Sequence, residues 1–317
     1  MAGRRVLLFG ASGFLGTQAG AELDRDPRAG TVIRVGRRRA GPADTGWISH
    51  DLLAAGAGEL AALIRGVRPD VVVNCAGRLS GDTVQLVEAN VLVTARMIEA
   101  VAREAPAARL VVLGSAAEYG RTPYGYHVGE DHPASPVAPY GVTRLASSQL
   151  VQLAVSEQRL DAAVLRVFNP AGPGVPPENL LGRAAAGMRA ALNDGNDTVV
   201  LGPLGAYRDF VDVRDVATAI TAAALADQVK EPVLNVGSGQ PVRCREAVSL
   251  MAEIAGFTGQ VVETDPPPGR SGSVDWSAAD LSRIERSLGW APRYGLRASV
   301  AATWRSSEPA GVPRAEH

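Results

Sequence analysis

Only two cysteines, Cys75 and Cys244, and four histidines, His50, His127, His132 and His317, occur in the 317 residues. Two isolated cysteines argue against a disulfide framework. No histidine stands at metal-ligand spacing from another ligand type, so no metal site is expected. Long apolar runs are missing as well. No stretch approaches the ~18 residues of a membrane span. The first apolar run, Val6–Phe9, is four residues long, short of the roughly 7–15 of a secretory core. The expectation is a cytoplasmic protein with no membrane partner. Nor is there an excess of charge. The 32 Lys+Arg stand against 33 Asp+Glu, a net charge of −1, which gives no global pull toward nucleic acid. With 46% hydrophobic and 21% charged residues the chain is globular in composition. Its length suits one large domain, or a large one with a smaller lobe.

What the sequence does have is alternation. Short β-branched runs at Val6–Phe9, Thr31–Val35, Val71–Asn74, Leu110–Gly114 and Ala163–Val167 alternate with longer amphipathic segments. A helix is expected over Phe14–Leu23. Val87, Val91, Thr94, Ile98 and Val101 recur at helical spacing within Val84–Val101, and a second long helix runs over Tyr140–Val155, opened by Pro139. Strand and helix in turn imply an α/β fold: a doubly wound parallel sheet covered on both faces, the Rossmann arrangement. Past Phe168 the alternation breaks. Residues 175–205 and 240–305 read as a smaller C-terminal substrate-binding lobe. Residues 1–174 read as the dinucleotide-binding domain, with 206–239 (Phe210–Leu225 and Val233–Val236) returning to its sheet. Asp265–Arg270 is a proline-rich loop and 306–317 a flexible tail.

The turn Gly10-Ala-Ser12-Gly13-Phe14-Leu15-Gly16 lies between the first strand and the first helix. Glycines there allow a tight turn, a close approach of backbone to pyrophosphate, and close helix–strand packing. The helix N-terminus then offers free N–H groups and a positive dipole end to phosphate. The second strand ends Val35-Gly36-Arg37-Arg38-Arg39, with no carboxylate to hold the adenosine ribose. Arginine forks suit a phosphate dianion, so NADP(H) is the expected cofactor, met first by Arg37 and then by Arg38. The Gly-x-x-Gly-x-x-Gly spacing resembles the extended short-chain dehydrogenase/reductases, the NAD-dependent epimerase/dehydratase family. That resemblance adds Asp51-Leu52 at the adenine, and Ala76-Gly77 and Asn90 around the cofactor.

The same resemblance supplies a reaction centre. Ser115 closes the fourth strand, and Tyr140 and Arg144 sit one helical turn apart, on one helix face. Together they look like the family's Ser…Tyr-x-x-x-Lys constellation, with arginine in place of lysine. The resemblance implies that Tyr140 exchanges a proton with the substrate oxygen. It implies that Ser115 hydrogen-bonds that oxygen, and that Arg144 holds the nicotinamide ribose. By likeness to nucleotide-sugar enzymes, Ser115, Ala116, Glu118, Asn169, Asn179, Leu180, Arg208 and Arg270 face the substrate. Ala116 and Ala117 stand where the family's dehydratases carry an acid pair and its epimerase-reductases a cysteine. Gly114–Gly120, Pro139–Val142 and Arg208–Asp215 resemble most the nucleotide-sugar 4-ketoreductases of the GDP-4-keto-6-deoxymannose reductase type. The implied function is NADPH-dependent reduction of a nucleotide-linked 4-keto-6-deoxyhexose. A 4-epimerase, or a noncatalytic NADP-binding protein, is the alternative. The resemblance also implies a homodimer through the two long helices.

Overall fold

The computed structural model describes residues 3–37, 46–265 and 274–307. In chain order the elements are β1 (Arg4–Phe9), α1 (Phe14–Arg25), β2 (Ala29–Gly36), β3 (Trp47–Ser49), α2 (Ala57–Val67), β4 (Val71–Asn74) and α3 (Thr83–Leu86). After a π-helical turn at Val87–Leu92 come α4 (Val93–Glu104), β5 (Arg109–Ser115), α5 (Pro139–Ser156), β6 (Asp161–Val167), β7 (Asn169–Ala171) and α6 (Leu180–Asp194). The rest is β8 (Thr198–Leu201), β9 (Tyr207–Asp212), α7 (Val213–Leu225), β10 (Val233–Val236), β11 (Pro241–Arg243), α8 (Cys244–Ala255), β12 (Gln260–Glu263), α9 (Ser282–Leu288) and α10 (Leu296–Ser306).

Seven strands form the main sheet in the order β3-β2-β1-β4-β5-β6-β10, and every neighbouring pair is parallel. The expected doubly wound sheet is therefore present. The strand order reverses between β1 and β4, and in doubly wound sheets ligands bind at the carboxyl ends of the strands at such a reversal. The period of two along each strand builds both cores. Val6 and Leu8 of β1 join Val71, Val73, Val111 and Leu165 under α1 and α7. Leu7 and Phe9 point the other way, with Val72, Leu110 and Val112, under α2, α4 and α5. Strands buried on both faces read as continuous apolar runs, which is why Val71–Asn74 stands out in the sequence.

A third core forms around α6, α8 and α10, and includes Leu181, Met188, Phe210 and Met251. Two small sheets border it: β11-β9-β7 and the parallel pair β12-β8. The segment 206–239 thus divides. Its strand β9 joins the small sheet, while α7 packs on α1 and β10 extends the main sheet. The expected single helix over 84–101 is interrupted by the π-helical turn. There the Asn90 carbonyl accepts hydroxyl bonds from Thr94 Oγ1 at 2.7 Å and Ser147 Oγ at 2.8 Å. Side-chain hydroxyls in the helical ladder loosen it by one residue. Among the described residues no helix is long and apolar enough to cross a membrane, and no group of three or more His, Cys, Asp or Glu could hold a metal ion.

Candidate active site

The glycine turn is shaped by contact rather than by flexibility alone. Gly10 adopts φ +70°, and a Cβ there would lie 2.6 Å from the Ala76 nitrogen. A Cβ on Gly16 would collide with the Gly10 carbonyl oxygen. The turn therefore lies flat against the Ala76 loop, at the place where the strand order reverses. Gly13 is the N-cap of α1 and brings no capping side chain, so the first N–H groups of this helix remain available to an anion. Ser12 and Arg37 are exposed beside it, and Phe14 and Leu15 are half-buried. Arg38 and Arg270 lie outside the described residues. The Asp51 carboxylate accepts the Leu53 N–H at 2.9 Å, and Leu52 packs on the core under α2.

Strand β5 ends in Ser115. Its Oγ accepts the Ala117 N–H at 3.2 Å, which leaves its own hydrogen to donate. A Cβ on Gly141 would lie 2.5 Å from the Ala117 carbonyl oxygen, so the first turn of α5 rests directly on the 116–118 turn. Tyr140 is the residue of α5 next to that contact, and a side chain at 141 would push the helix off the turn. One turn later, Arg144 is buried, with its guanidinium carbon 5.4 Å from the Tyr140 ring centroid. Arg144 Nη1 donates to the Leu113 carbonyl at 3.1 Å, while Nε is buried without a partner. Gly77 lies against the guanidinium so closely that a Cβ there would collide with Nη2. Contacts thus link Tyr140 to Arg144, Arg144 to Gly77 and the end of β5 at Leu113, and the neighbouring Ala76 to the Gly10 turn.

Two expected ligand contacts are corrected. Glu118 is 0% exposed and cannot touch a substrate. Its Oε1 accepts the Ser115 N–H at 2.8 Å and its Oε2 pairs with Arg166 Nε at 2.8 Å. A buried carboxylate needs such partners, and here they tie the end of β5 to β6. Asn90 is 1% exposed. Its Oδ1 accepts the Arg78 N–H at 2.9 Å, and its Nδ2 donates to the Arg78 carbonyl and to Thr143 Oγ1. It fastens the loop after β4 to α5, rather than meeting a ligand.

The remaining candidates lie around the small lobe. Asn169 is half-buried on β7, Ala116 packs beside Tyr119 and Phe168, and Asn179 and Leu180 open α6. Arg208 donates to the Tyr207 carbonyl at 2.8 Å. Burial is the main influence on its guanidinium and holds it below the usual range. Next to it, buried Asp209 accepts from Ser238 N and Oγ, Gly239 N and Ala279 N at 2.6–3.0 Å, which locks β9 to the 237–239 turn. Two tyrosines of the region differ in kind. Tyr119 is buried, donates to Asn235 Oδ1 at 2.6 Å and has its phenol pushed up to about 12, chiefly by burial. Tyr140 is half-exposed, with the Arg144 guanidinium near its ring. Sequence reading missed Arg166, Gly141 and Asp209. The signal for Arg166 was present: one charge inside the apolar strand Ala162–Val167.

A glycine turn at a topological switch point, leading into a helix with no capping side chain and packed on the loop that meets the buried Arg144, defines a doubly wound protein of the dinucleotide-binding class. Comparison with known proteins agrees. Residues 6–237 match the NAD dependent epimerase/dehydratase family, and the chain belongs to it. It is 39% identical over 311 residues, 97% of each chain, to the dTDP-6-deoxy-L-talose 4-dehydrogenase (NAD(P)(+)) of Kitasatospora kifunensis. It is 28% identical, over 74% of this chain and 79% of the relative, to the GDP-6-deoxy-D-mannose reductase of Pseudomonas aeruginosa. Among solved structures it resembles the Thermus thermophilus UDP-glucose 4-epimerase complex with NAD. There the TM-score is 0.83 and the identity 26%, over 97% of this chain and 100% of the other.

Proposed function

We propose that this protein uses NADPH to reduce the 4-keto group of a nucleotide-diphosphate-linked 4-keto-6-deoxyhexose. The observation that carries this reading is the placement of Arg144, buried under the Tyr140 ring, against Gly77 and bonded to the Leu113 carbonyl near the end of β5, the strand that Ser115 closes. The residues present fit a nicotinamide dinucleotide. The uncapped N-terminus of α1 suits its pyrophosphate, and the unmet Arg144 Nε is a buried donor awaiting an acceptor.

When bound, the reduced nicotinamide supplies a hydride to the C4 carbonyl carbon. Tyr140 gives its phenolic proton to the C4 oxygen as the carbonyl electron pair moves there, and then recovers a proton from water. Ser115 donates its hydroxyl hydrogen to the same oxygen. Arg144 keeps a fixed positive charge beside both. Ala116 and Ala117 offer no carboxylate or thiol to remove a carbon-bound proton, which favours simple reduction over dehydration. The name of the 39% identical relative describes an oxidation at C4 with NAD(P)+, the reverse of the same bond change. Arg37 stands exposed past the end of β2 and, with Arg38, would select the 2′-phosphate. Arg208, with Asn169 and Asn179, would take the sugar diphosphate.

The test is NADPH oxidation with a panel of dTDP-, GDP- and UDP-linked 4-keto-6-deoxyhexoses. One NADPH consumed per hydroxyl sugar formed is the expected result. Sugar interconversion without net cofactor change would establish an epimerase instead, and tight cofactor binding without turnover of any sugar would end the enzymatic reading. Arg37→Ala with Arg38→Ala removes charge-assisted bonds of roughly 1.5–3 kcal/mol each. NADPH affinity should then fall about tenfold or more, with little change for NADH. Equal losses would refute the phosphate assignment.

Self-association is proposed through α4 and α5, which pack side by side. On the segment leading into α4, Val84 is 66%, Val87 42% and Leu92 40% exposed, and on α5 Val142 is 52% and Leu153 54% exposed, apolar exposure that suits a partner surface. Sedimentation should find a dimer that Val87→Glu with Leu153→Glu converts to monomer. A wild-type monomer at micromolar concentration would refute this.

A further inference from the structure

We propose that Trp47 is a specificity-determining residue, which excludes an acidic side chain from the end of β2 and so commits the site to the phosphorylated cofactor. The inference rests on the NADP(H) reading above and adds a steric cause to it. Gly36 is the last residue of β2, twenty positions beyond Gly16. That is about the interval at which NAD-binding folds carry the carboxylate that holds the adenosine ribose. The absence of an acid here is more than a missing residue. A Cβ built on Gly36 would lie 2.7 Å from Cζ2 and 2.9 Å from Cη2 of Trp47, and 3.5 Å from Ser12 Oγ. One small volume is thus bounded by the end of β2, the serine of the glycine turn and the indole. A carboxylate at 36 would have to grow into it.

The backbone does not ask for glycine at this position. Gly36 is not among the residues of positive φ, so any L-residue could adopt its conformation. What remains is the indole. Trp47 opens β3, which pairs in parallel with β2 in the register Arg34 with Trp47 and Gly36 with Ser49. Its ring packs against the apolar cluster under α1 that includes Val6, Leu8, Ala19 and Leu23. A rigid bicycle with two torsions cannot leave that packing without exposing apolar surface. The ring therefore stays, and position 36 stays empty. Reading of the adenosine end then falls to residues after Gly36, of which Arg37, exposed, is the first.

The test is a double-mutant cycle of Gly36→Asp and Trp47→Ala in the full-length protein. NADPH and NADH affinities are read by titration calorimetry, and thermal midpoints are recorded for each variant. Gly36→Asp alone should weaken both cofactors by about tenfold or more. Adding Trp47→Ala should recover NADH binding by about tenfold while leaving NADPH weak, since the carboxylate then meets the ribose and repels the phosphate. Gly36→Ala serves as a milder probe that keeps charge out of the comparison. It should lower the melting midpoint when Trp47 is present and change it little in the Trp47→Ala background. The proposal is overturned if Gly36→Asp by itself tightens NADH, or if the effects at 36 are the same with and without the indole. A wild-type protein that binds NADH as well as NADPH would end the NADP(H) reading. The coupling of Gly36 to Trp47 in the melting data would still be decided on its own.

Discussion

Tyr140→Phe is expected to abolish ketoreduction while the protein still binds NADPH within about twofold of wild type. The Tyr140 side chain is half-exposed in the first turn of α5. Its ring is only 5.4 Å from the Arg144 guanidinium carbon, so removing the hydroxyl should disturb little of the packing. General acid catalysis contributes typically ~10²–10⁴ in rate, and the loss should fall in kcat rather than in cofactor affinity. Single-turnover reduction followed by nicotinamide absorbance measures it. An unchanged rate would assign the proton to another group and dismantle the proposed centre. Tyr119 is no substitute, since its hydroxyl is buried and already donates to Asn235.

Arg166→Met is expected to be the most destabilising single change in this region. The Arg166 side chain is 5% exposed and faces Glu118 at 0%, and its guanidinium carbon lies 4.6 Å from the Tyr119 ring centroid. Losing it leaves a carboxylate buried without its countercharge, a cost of roughly 3–5 kcal/mol. At about 2–4 °C per kcal/mol for large domains, the melting midpoint should drop by roughly 6–20 °C. Glu118→Gln added to Arg166→Met should restore much of that loss, because a neutral amide still accepts the Ser115 N–H. Calorimetric scans of the two variants test this. A fall of less than about 2 °C for Arg166→Met would mean that the pair does not hold the end of β5.

Much of this architecture was legible because its signals are local. The strand Val71–Asn74 and the helices opened by the glycine turn and by Pro139 depend on apolar periodicity and on terminators within a few residues. Tyr140 and Arg144 were legible as a pair because a helical turn fixes their common face. The roles of Glu118 and Asn90 were not. Each lies beside functional residues in the sequence, but its partners come from far along the chain: Arg166 for Glu118, and Arg78 and Thr143 for Asn90. The π-helical turn at Val87–Leu92 was hidden for the same reason, since Ser147 that bonds its carbonyl belongs to α5. The arginine at 144 looked like a departure. Lys230 is the only lysine in the sequence, and Gly77 and the Leu113 carbonyl together accommodate the broader guanidinium.

The sequence by itself determined the alternating elements, the glycine turn and the identity of the groups able to move a proton, because each depends on residue type and short-range spacing. Only the tertiary structure decided which of the candidate groups are sealed in the core and that the indole of Trp47 crowds position 36. Those outcomes depend on contacts between strands and helices that are distant in sequence. Burial, ion pairing and steric exclusion are set by the neighbours a side chain meets after the chain has folded.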